Sequence, residues 1–431
     1  MNSLWTEISK KPNFNSLDGN IKTDVLIVGG GLTGILCAYM LQEAGIDYTL
    51  IEANNICSGI TQNTTAKITM QHGLIYHKII KKYGIKAAKL YYKANSEAIR
   101  HYKNLCKIFD CCFETKDAIV YSTADIRKIT EEYKAYGVIG IPSEFIKELP
   151  LPMNILGAVR IRNQGQIQPL QLLYKLSQKL NIKEHTKLIE ITPDCVQTDK
   201  GNIYYKKAII ATHFPIINKH GYYFLKMYQH RSYVLALENA QDVSGMYIDE
   251  NEKGFSFRNY DRFLLLGGGS HRTGKKGGCW NELECFAKKY YPESKIKNRW
   301  ATQDCITLDS MPYIGKYSKN TPNLFVATGY NKWGFTSSMV AAEMLCDLVQ
   351  EKRNEYEELF SPSRSVIHPQ LAGNAAAAAF NLITPTSPRC PHMGCALKYN
   401  KYEHTWDCPC HGSRFTSDGK LLDNPAMKSL K

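Results

Sequence analysis

A short apolar run, Asp24-Val-Leu-Ile-Val28, passes directly into Gly29-Gly30-Gly31-Leu32-Thr33-Gly34. Few sequence features restrict a fold more. The run suits a strand buried on both faces of a parallel sheet. A helical pattern follows from Leu32 to about Ala44 and stops at Gly45; a second strand, Tyr48–Ile51, ends in Glu52. A lone GxGxxG is weak evidence. This one leaves a strand, opens a helix and has an acid eighteen residues beyond Gly34, the full dinucleotide-binding arrangement. Gly29 is expected to make the tight turn, and Gly31 to let a pyrophosphate approach the backbone at the helix N-terminus. Gly34 is expected to let helix and strand pack closely, and Glu52 to accept hydrogen bonds from ribose hydroxyls. The competing reading, a glycine-rich turn without a ligand, is disfavoured by the whole constellation. The arrangement does not by itself separate FAD from NAD.

The last fifth of the chain carries a second signal. Cys390-Pro391-His392 is followed, fifteen residues later, by Cys408-Pro409-Cys410-His411. Two thiolates and two imidazoles on two short loops suit a 2Fe–2S cluster with two Cys on one iron and two His on the other. Neutral imidazoles in place of anionic thiolates remove negative charge and raise the potential, so this end of the chain is expected to pass single electrons. A tetrahedral Cys2His2 zinc site competes. Zinc leaves two further cysteines, Cys395 and Cys410, and the His-Gly-Ser turn unexplained. The runs Cys390-Pro-His-Met-Gly-Cys395 and Trp406-Asp-Cys-Pro-Cys-His-Gly-Ser-Arg-Phe415 closely resemble the two cluster loops of the Rieske iron–sulfur family. The resemblance implies Cys390, His392, Cys408 and His411 as ligands and Cys395–Cys410 as a disulfide. Two departures matter. Phe415 stands where the family often has a Tyr that donates to a ligand sulfur, so a lower potential is expected; Ser413 can still donate to a cluster sulfide. The β-rich base that usually precedes the first ligand loop looks largely missing, replaced by a short stretch that includes Ala375–Ala379. Cluster stability is therefore expected to depend on packing against the rest of the protein.

Further motifs resolve the first cofactor. Ser58-Gly-Ile-Thr-Gln-Asn-Thr-Thr-Ala-Lys67 is a donor-rich loop containing Thr64 and Thr65. Ala208-Ile-Ile-Ala-Thr-His213 is a strand ending in Ala-Thr. Asn323-Leu-Phe-Val-Ala-Thr-Gly329 is a strand followed by Tyr-Asn-Lys-Trp333-Gly334-Phe-Thr336-Ser and a helix through about Val349. A late strand, glycine loop and helix returning to the cofactor is how glutathione-reductase-like FAD folds close over flavin. Residues from about Asp24 to Gln350 resemble the D-amino-acid oxidase/glycine oxidase family of FAD-dependent oxidoreductases. The whole chain more closely resembles bacterial members with a C-terminal Rieske domain. Thr64-Thr65-Ala66-Lys67, Gln71-His72-Gly73, Trp300-Ala-Thr-Gln-Asp304 with Leu308-Asp-Ser-Met-Pro-Tyr-Ile-Gly315, and Ala327-Thr-Gly-Tyr-Asn-Lys-Trp-Gly334 carry that match. The implied cofactors are FAD and a Rieske 2Fe–2S cluster, with Gly29, Gly31, Gly34, Glu52, Thr64, Thr65, Gly329, Trp333, Gly334 and Thr336 at the FAD.

The implied fold class is α/β: a glutathione-reductase-like FAD-binding fold with an interleaved α+β substrate domain, plus a small all-β Rieske cluster-binding domain. The oxidoreductase spans 20–350, with FAD-binding segments at about 20–95, 155–220 and 305–350 and substrate-domain segments at about 96–154 and 221–304. Within it, Gly254–Arg258 and Arg262–Gly267 flank a three-residue turn and read as an antiparallel hairpin. Gln166–Leu170 leads into a helix over Leu170–Leu180. A linker is expected over 351–382, and a shortened Rieske domain over 383–431.

The 431 residues suffice for two or three domains. No run of eighteen apolar residues exists, so no transmembrane segment is expected. The first twenty residues lack an apolar signal core, so no signal peptide is expected and the cytoplasm is the expected compartment. Fourteen cysteines suggest a disulfide scaffold only at first sight. Ten lie outside the cluster motif without metal spacing and are expected to be reduced, including the vicinal pair Cys111-Cys112. With 54 Lys and Arg against 40 Asp and Glu the net charge is +14. Solvated surface is the plainer reading of the basic clusters; steering of an acidic partner or substrate is the sharper one. No nucleic-acid motif is present.

Flavin can take a hydride from an amine or amino acid and release electrons singly. The leading expectation is an FAD-dependent amine or amino-acid dehydrogenase, acting on a small molecule and passing electrons through the cluster to an external acceptor. A reductase fed by NAD(P)H or ferredoxin is weaker, because only one dinucleotide arrangement is visible. A non-catalytic electron carrier or redox sensor is the third, and the large substrate domain argues against it. Arg231 and Tyr233 are candidates to hold a substrate carboxylate, each competing with a structural role. His72, Lys67, His271 and Lys332 lie in family-like motifs expected near the flavin, and His213 follows the Ala-Thr strand end.

Overall fold

The computed structural model describes residues 2–365, 371–374, 380–382, 384–385 and 388–430. The stretch Ala375–Ala379 lies outside the described residues.

Strand Ile21–Val28 is flanked on both sides by parallel neighbours, Gly201–Ile210 and Tyr48–Ile51, with Val28 opposite Ile210 and Ile51. Leu324–Thr328 continues beyond Gly201–Ile210, also parallel. The apolar run is buried on both faces: Val25 and Ile27 lie under the helices Leu32–Glu43 and Gly334–Val349, which pack on each other, while Leu26 and Val28 pack with Leu188, Val196, Phe214 and Tyr313. The sheet order places Ile21–Val28 between strands that come later on either side. The carboxyl ends beside this reversal are where α/β sheets bind ligands.

A second sheet, nine-stranded among the described residues, stands beside the first. Three long strands lie side by side at one end of it, Lys295–Thr307 at the edge, then Met227–Glu238 and Phe263–Arg272. The hairpin forms with strands Ser256–Tyr260 and Phe263–Arg272 around Asp261, whose φ is 51°. The C-terminal region is a separate four-stranded antiparallel sheet built from Lys398–Asn400, Thr405–Asp407, Arg414–Thr416 and Leu421–Asp423.

Several expected boundaries move. Strand Gly157–Ile167, expected in the FAD-binding part, pairs with Phe113–Ser122 in the second sheet. One helix, Tyr76–Ile108, runs across the expected division at 95/96 with a break at Gly84, where φ is 83°. The N-terminal residues are not an appendage: Leu4 and Trp5 are buried, and the Trp5 indole N–H donates to the Thr64 carbonyl at 2.7 Å. The expected linker is partly docked. Arg364 forms a bidentate pair with Asp309 at 2.7 and 2.9 Å, and Phe360 is buried. No helix among the described residues is long and apolar enough to cross a membrane.

Candidate functional site

A cavity of ≈ 780 Å³ opens at the carboxyl ends of the parallel strands. Gly29, Gly31, Glu52, Thr64, Thr65, Gly329, Trp333 and Gly334 line it. The glycines are dictated by contact. A Cβ on Gly34 would lie 1.9 Å from the Gly29 carbonyl oxygen, and Gly29 holds φ at 109° with a Cβ position 2.6 Å from the Ala211 carbonyl. Gly34 thus packs helix on strand and does not touch the cavity. The Glu52 carboxylate accepts from Gly30 N–H at 2.7 Å and Asn54 N–H at 2.8 Å, which holds it at the cavity wall. Thr61, Thr64, Thr65 and Lys67 form the donor-rich side. An acid at the second strand end, bare backbone at the helix N-terminus and hydroxyls opposite make a donor and acceptor set that fits a dinucleotide.

Thr336 is a correction. It is buried behind the cavity, where its hydroxyl lies 2.9 Å from His72 Nε2 and donates to the Thr69 carbonyl. His72 does reach the cavity. Its ring stacks on Trp333 with centroids 4.8 Å apart, and Nδ1 meets the Tyr91 hydroxyl. Burial pushes its pKa down to about 3, so it stands neutral. That set of partners positions Trp333 and supplies no proton at neutral pH.

Arg231 is the larger correction. It does not line the cavity. Its guanidinium pairs with Glu403 of the C-terminal domain, and Arg414 Nη2 binds the same carboxylate at 2.7 Å. Burial would raise the Glu403 carboxyl, but Arg231 and Arg414 outweigh it and hold it down to about 2. The Tyr233 hydroxyl donates to Glu403 at 2.8 Å and lies 3.0 Å from His271 Nε2, although its ring touches the cavity. The reason is strand periodicity. In Met227–Glu238, His230 and Ser232 face the cavity while Gln229 and Arg231 face the C-terminal domain.

The same alternation brings forward a residue to which the motifs alone assign no role. In Lys295–Thr307, Thr302 and Asp304 face the cavity and Gln303 faces away. Asp304 and Lys332 line the cavity together, and among the described residues neither side chain makes an ion pair or hydrogen bond. Burial raises the Asp304 pKa to about 6, against the lowering pull of Lys332 and Arg231. Burial lowers Lys332, against the raising pull of Asp304 and Glu252. Asp304 belongs to a family-like motif, but only its strand parity distinguishes it. His213 also lines the cavity; burial lowers its pKa to about 4, and Nε2 is buried without a partner.

At the other centre, the six expected residues converge. Cys395, Cys408 and Cys410 place their sulfurs within 4.8 Å of one another, and Cys390 is buried in the same core with them. The His392 and His411 rings stand 4.9 Å apart at their centroids. Nδ1 of each is buried with no partner, and burial lowers the two pKa values to about 3 and about 4. Neutral imidazoles with inward, unpaired nitrogens beside two thiols are what a 2Fe–2S site with two Cys and two His requires. Ser413, whose hydroxyl oxygen accepts from Ala426 N–H at 2.9 Å, and Phe415 are fully buried beneath the loops. Cys395 and Cys410 are free thiols in this structure, so the expected disulfide is not formed in it.

Comparison with known proteins agrees with both centres. Residues 24–348 match the family model described as FAD dependent oxidoreductase (DAO), and residues 381–431 match the Rieske [2Fe-2S] domain. These carry FAD and a 2Fe–2S cluster respectively. The chain is 36% identical, over its whole length and 97% of the relative's, to the Rieske 2Fe-2S iron-sulfur protein YhfW of Bacillus subtilis (strain 168), itself so named only provisionally. It is 24% identical to the gamma-glutamylputrescine oxidoreductase of Escherichia coli (strain K12), over 81% of this chain and 88% of that protein. The crystal structure of glycine oxidase from Geobacillus kaustophilus covers 80% of this chain and 100% of its own, with a TM-score of 0.69 at 18% identity, and shares the fold.

Proposed function

Because this chain belongs to the DAO family of FAD-dependent oxidoreductases and ends in a Rieske [2Fe-2S] domain, we propose that it is an amine or amino-acid dehydrogenase. Its electrons would leave through the cluster to an external acceptor. When bound, FAD supplies a hydride acceptor that can release electrons singly, and the cluster supplies a one-electron site. One observation carries the reading: the cavity lined by Gly29, Gly31 and Glu52 is also lined by Lys420, Leu421, Asp423, Asn424 and Met427 of the cluster domain. The two cofactor sites thus share a wall.

Asp304 and Lys332 support an amine or amino acid as the substrate. Oppositely charged, unpartnered and set in one cavity, they suit an ammonium and a carboxylate on the same molecule.

Anaerobic stopped-flow absorbance of the holo-protein against amines, amino acids, NADH and NADPH tests the reading. Flavin bleaching by an amine or amino acid, followed by cluster reduction, is expected. Bleaching by NADH or NADPH alone would overturn it. Asp304→Asn and Lys332→Met should each weaken binding of the reactive compound more than they alter flavin content.

A further inference from the structure

The cluster loop rests on two buried glutamines whose hydrogen bonding is complete. Gln229 Nε2 donates to the carbonyl of the ligand residue His411 at 2.8 Å and to the carbonyl of Asn424 at 3.0 Å. Gln303 Nε2 donates to the Gly412 carbonyl at 2.9 Å and to Gln229 Oε1 at 2.6 Å. Thr273 Oγ1 donates to Gln303 Oε1 at 2.9 Å. Both amide N–H bonds of each glutamine thus meet an acceptor, and each amide oxygen meets a donor. The amide orientations are dictated, since three of the four acceptors are backbone carbonyls, which cannot donate. All three side chains are buried, Gln303 completely.

The fit around the network is equally tight. Gly412 holds φ at 83°, and a Cβ there would lie 2.6 Å from Gln229 Cβ. A Cβ on Gly274 would lie 2.6 Å from Pro409 Cα. On the cavity side, Asn424 Nδ2 donates to the carbonyls of Thr212 and Phe214, and Thr212 lines the cavity. A continuous chain therefore runs from the cavity wall at Thr212 through Asn424 and Gln229 to His411. The strands that present Gln229 and Gln303 to the cluster loop present His230, Ser232, Thr302 and Asp304 to the cavity. One sheet layer separates the cavity from the cluster loop.

We propose that Gln229 and Gln303 are positioning residues that clamp the His411–Gly412 ligand loop permanently onto the back of the flavin cavity, so that flavin and cluster communicate without domain movement. This rests on the relay proposed above. A fully satisfied buried polar network has one low-energy arrangement, and separating its halves strands several donors at once. The flavoprotein sheet thereby does for the cluster loop what the missing base would otherwise do.

Two measurements on the full-length holo-protein test it. The first follows flavin-to-cluster electron transfer after photoreduction of the flavin, in glycerol series. The wild-type rate should not depend on viscosity, and Gln229→Leu/Gln303→Leu should acquire such a dependence. The second follows iron loss to the chelator bathophenanthroline. It should be faster in the double variant by roughly tenfold or more, the worth of about one net hydrogen bond, with flavin content unchanged. A wild-type rate that falls in proportion to viscosity overturns permanent docking and needs no variant. Unchanged iron loss in the variant overturns the clamp. If wild type shows no transfer at any viscosity while the variant still loses iron faster, the clamp stands and the relay reading fails.

Discussion

Replacing Glu403 by Gln should loosen the cluster domain from the flavoprotein by about 3 kcal/mol. An unperturbed Glu titrates near ~4.3, and each tenfold change in proton affinity corresponds to about 1.4 kcal/mol. Arg231 and Arg414 hold Glu403 down to about 2 despite its burial. Its proton affinity is thus lowered roughly two-hundredfold, which corresponds to about 3 kcal/mol. The figure agrees with the roughly 3–5 kcal/mol typical of removing one member of a buried ion pair. Arg414 keeps Asp407 and Asp423. Arg231 keeps no carboxylate partner among the described residues, so the penalty falls on it. The assay is urea unfolding at pH 7, followed by cluster absorbance and flavin fluorescence in parallel. The cluster transition should move to lower urea first. The pH sign is fixed by a depressed carboxyl: its stabilisation is fully present above ~4.3 and is lost as pH falls toward about 2. Wild type and Glu403→Gln should therefore converge in acid. A variant within about 0.5 kcal/mol of wild type at pH 7 would refute the reasoning. So would Arg231→Met that unfolds normally but raises KM only for carboxylate substrates, since Arg231 would then act on substrate after all.

Gly34→Ala should abolish FAD retention, because its Cβ would sit 1.9 Å from the Gly29 carbonyl oxygen; the ratio of absorbance at the flavin band to protein absorbance reads this directly. Phe415→Tyr places a hydroxyl in the fully buried layer beneath the cluster loops and should raise the cluster potential in an EPR-monitored redox titration; no upward movement would count against it. His101 pairs with Glu343, which raises its pKa. That stabilisation is fully present below ~6.5 and is lost as pH rises through the raised value, so the stability–pH curve of His101→Gln should be flatter there in thermal melts.

Both cofactor sites were legible because their chemistry is local in the chain. Gly29, Gly31, Gly34 and Glu52 are tied by steric contact and a strand–turn–helix of fixed length. The Cys390–Cys395 and Cys408–His411 loops need only two short turns to present their ligands. What a side chain faces across a sheet is not local. Arg231 and His230 are neighbours in sequence, yet one grips Glu403, about 170 positions away, while the other faces the cavity. Asp304 and Gln303 divide in the same way. Alternation along a strand guarantees that adjacent residues point oppositely, but it does not say which face meets the cofactor. The sequence by itself therefore determined the two cofactors and the chemistry they allow. Only the tertiary structure decided that one sheet serves both, with substrate-facing charges on its front and a satisfied glutamine clamp on its back. That choice is set by packing between segments far apart in the chain, and no local pattern encodes it.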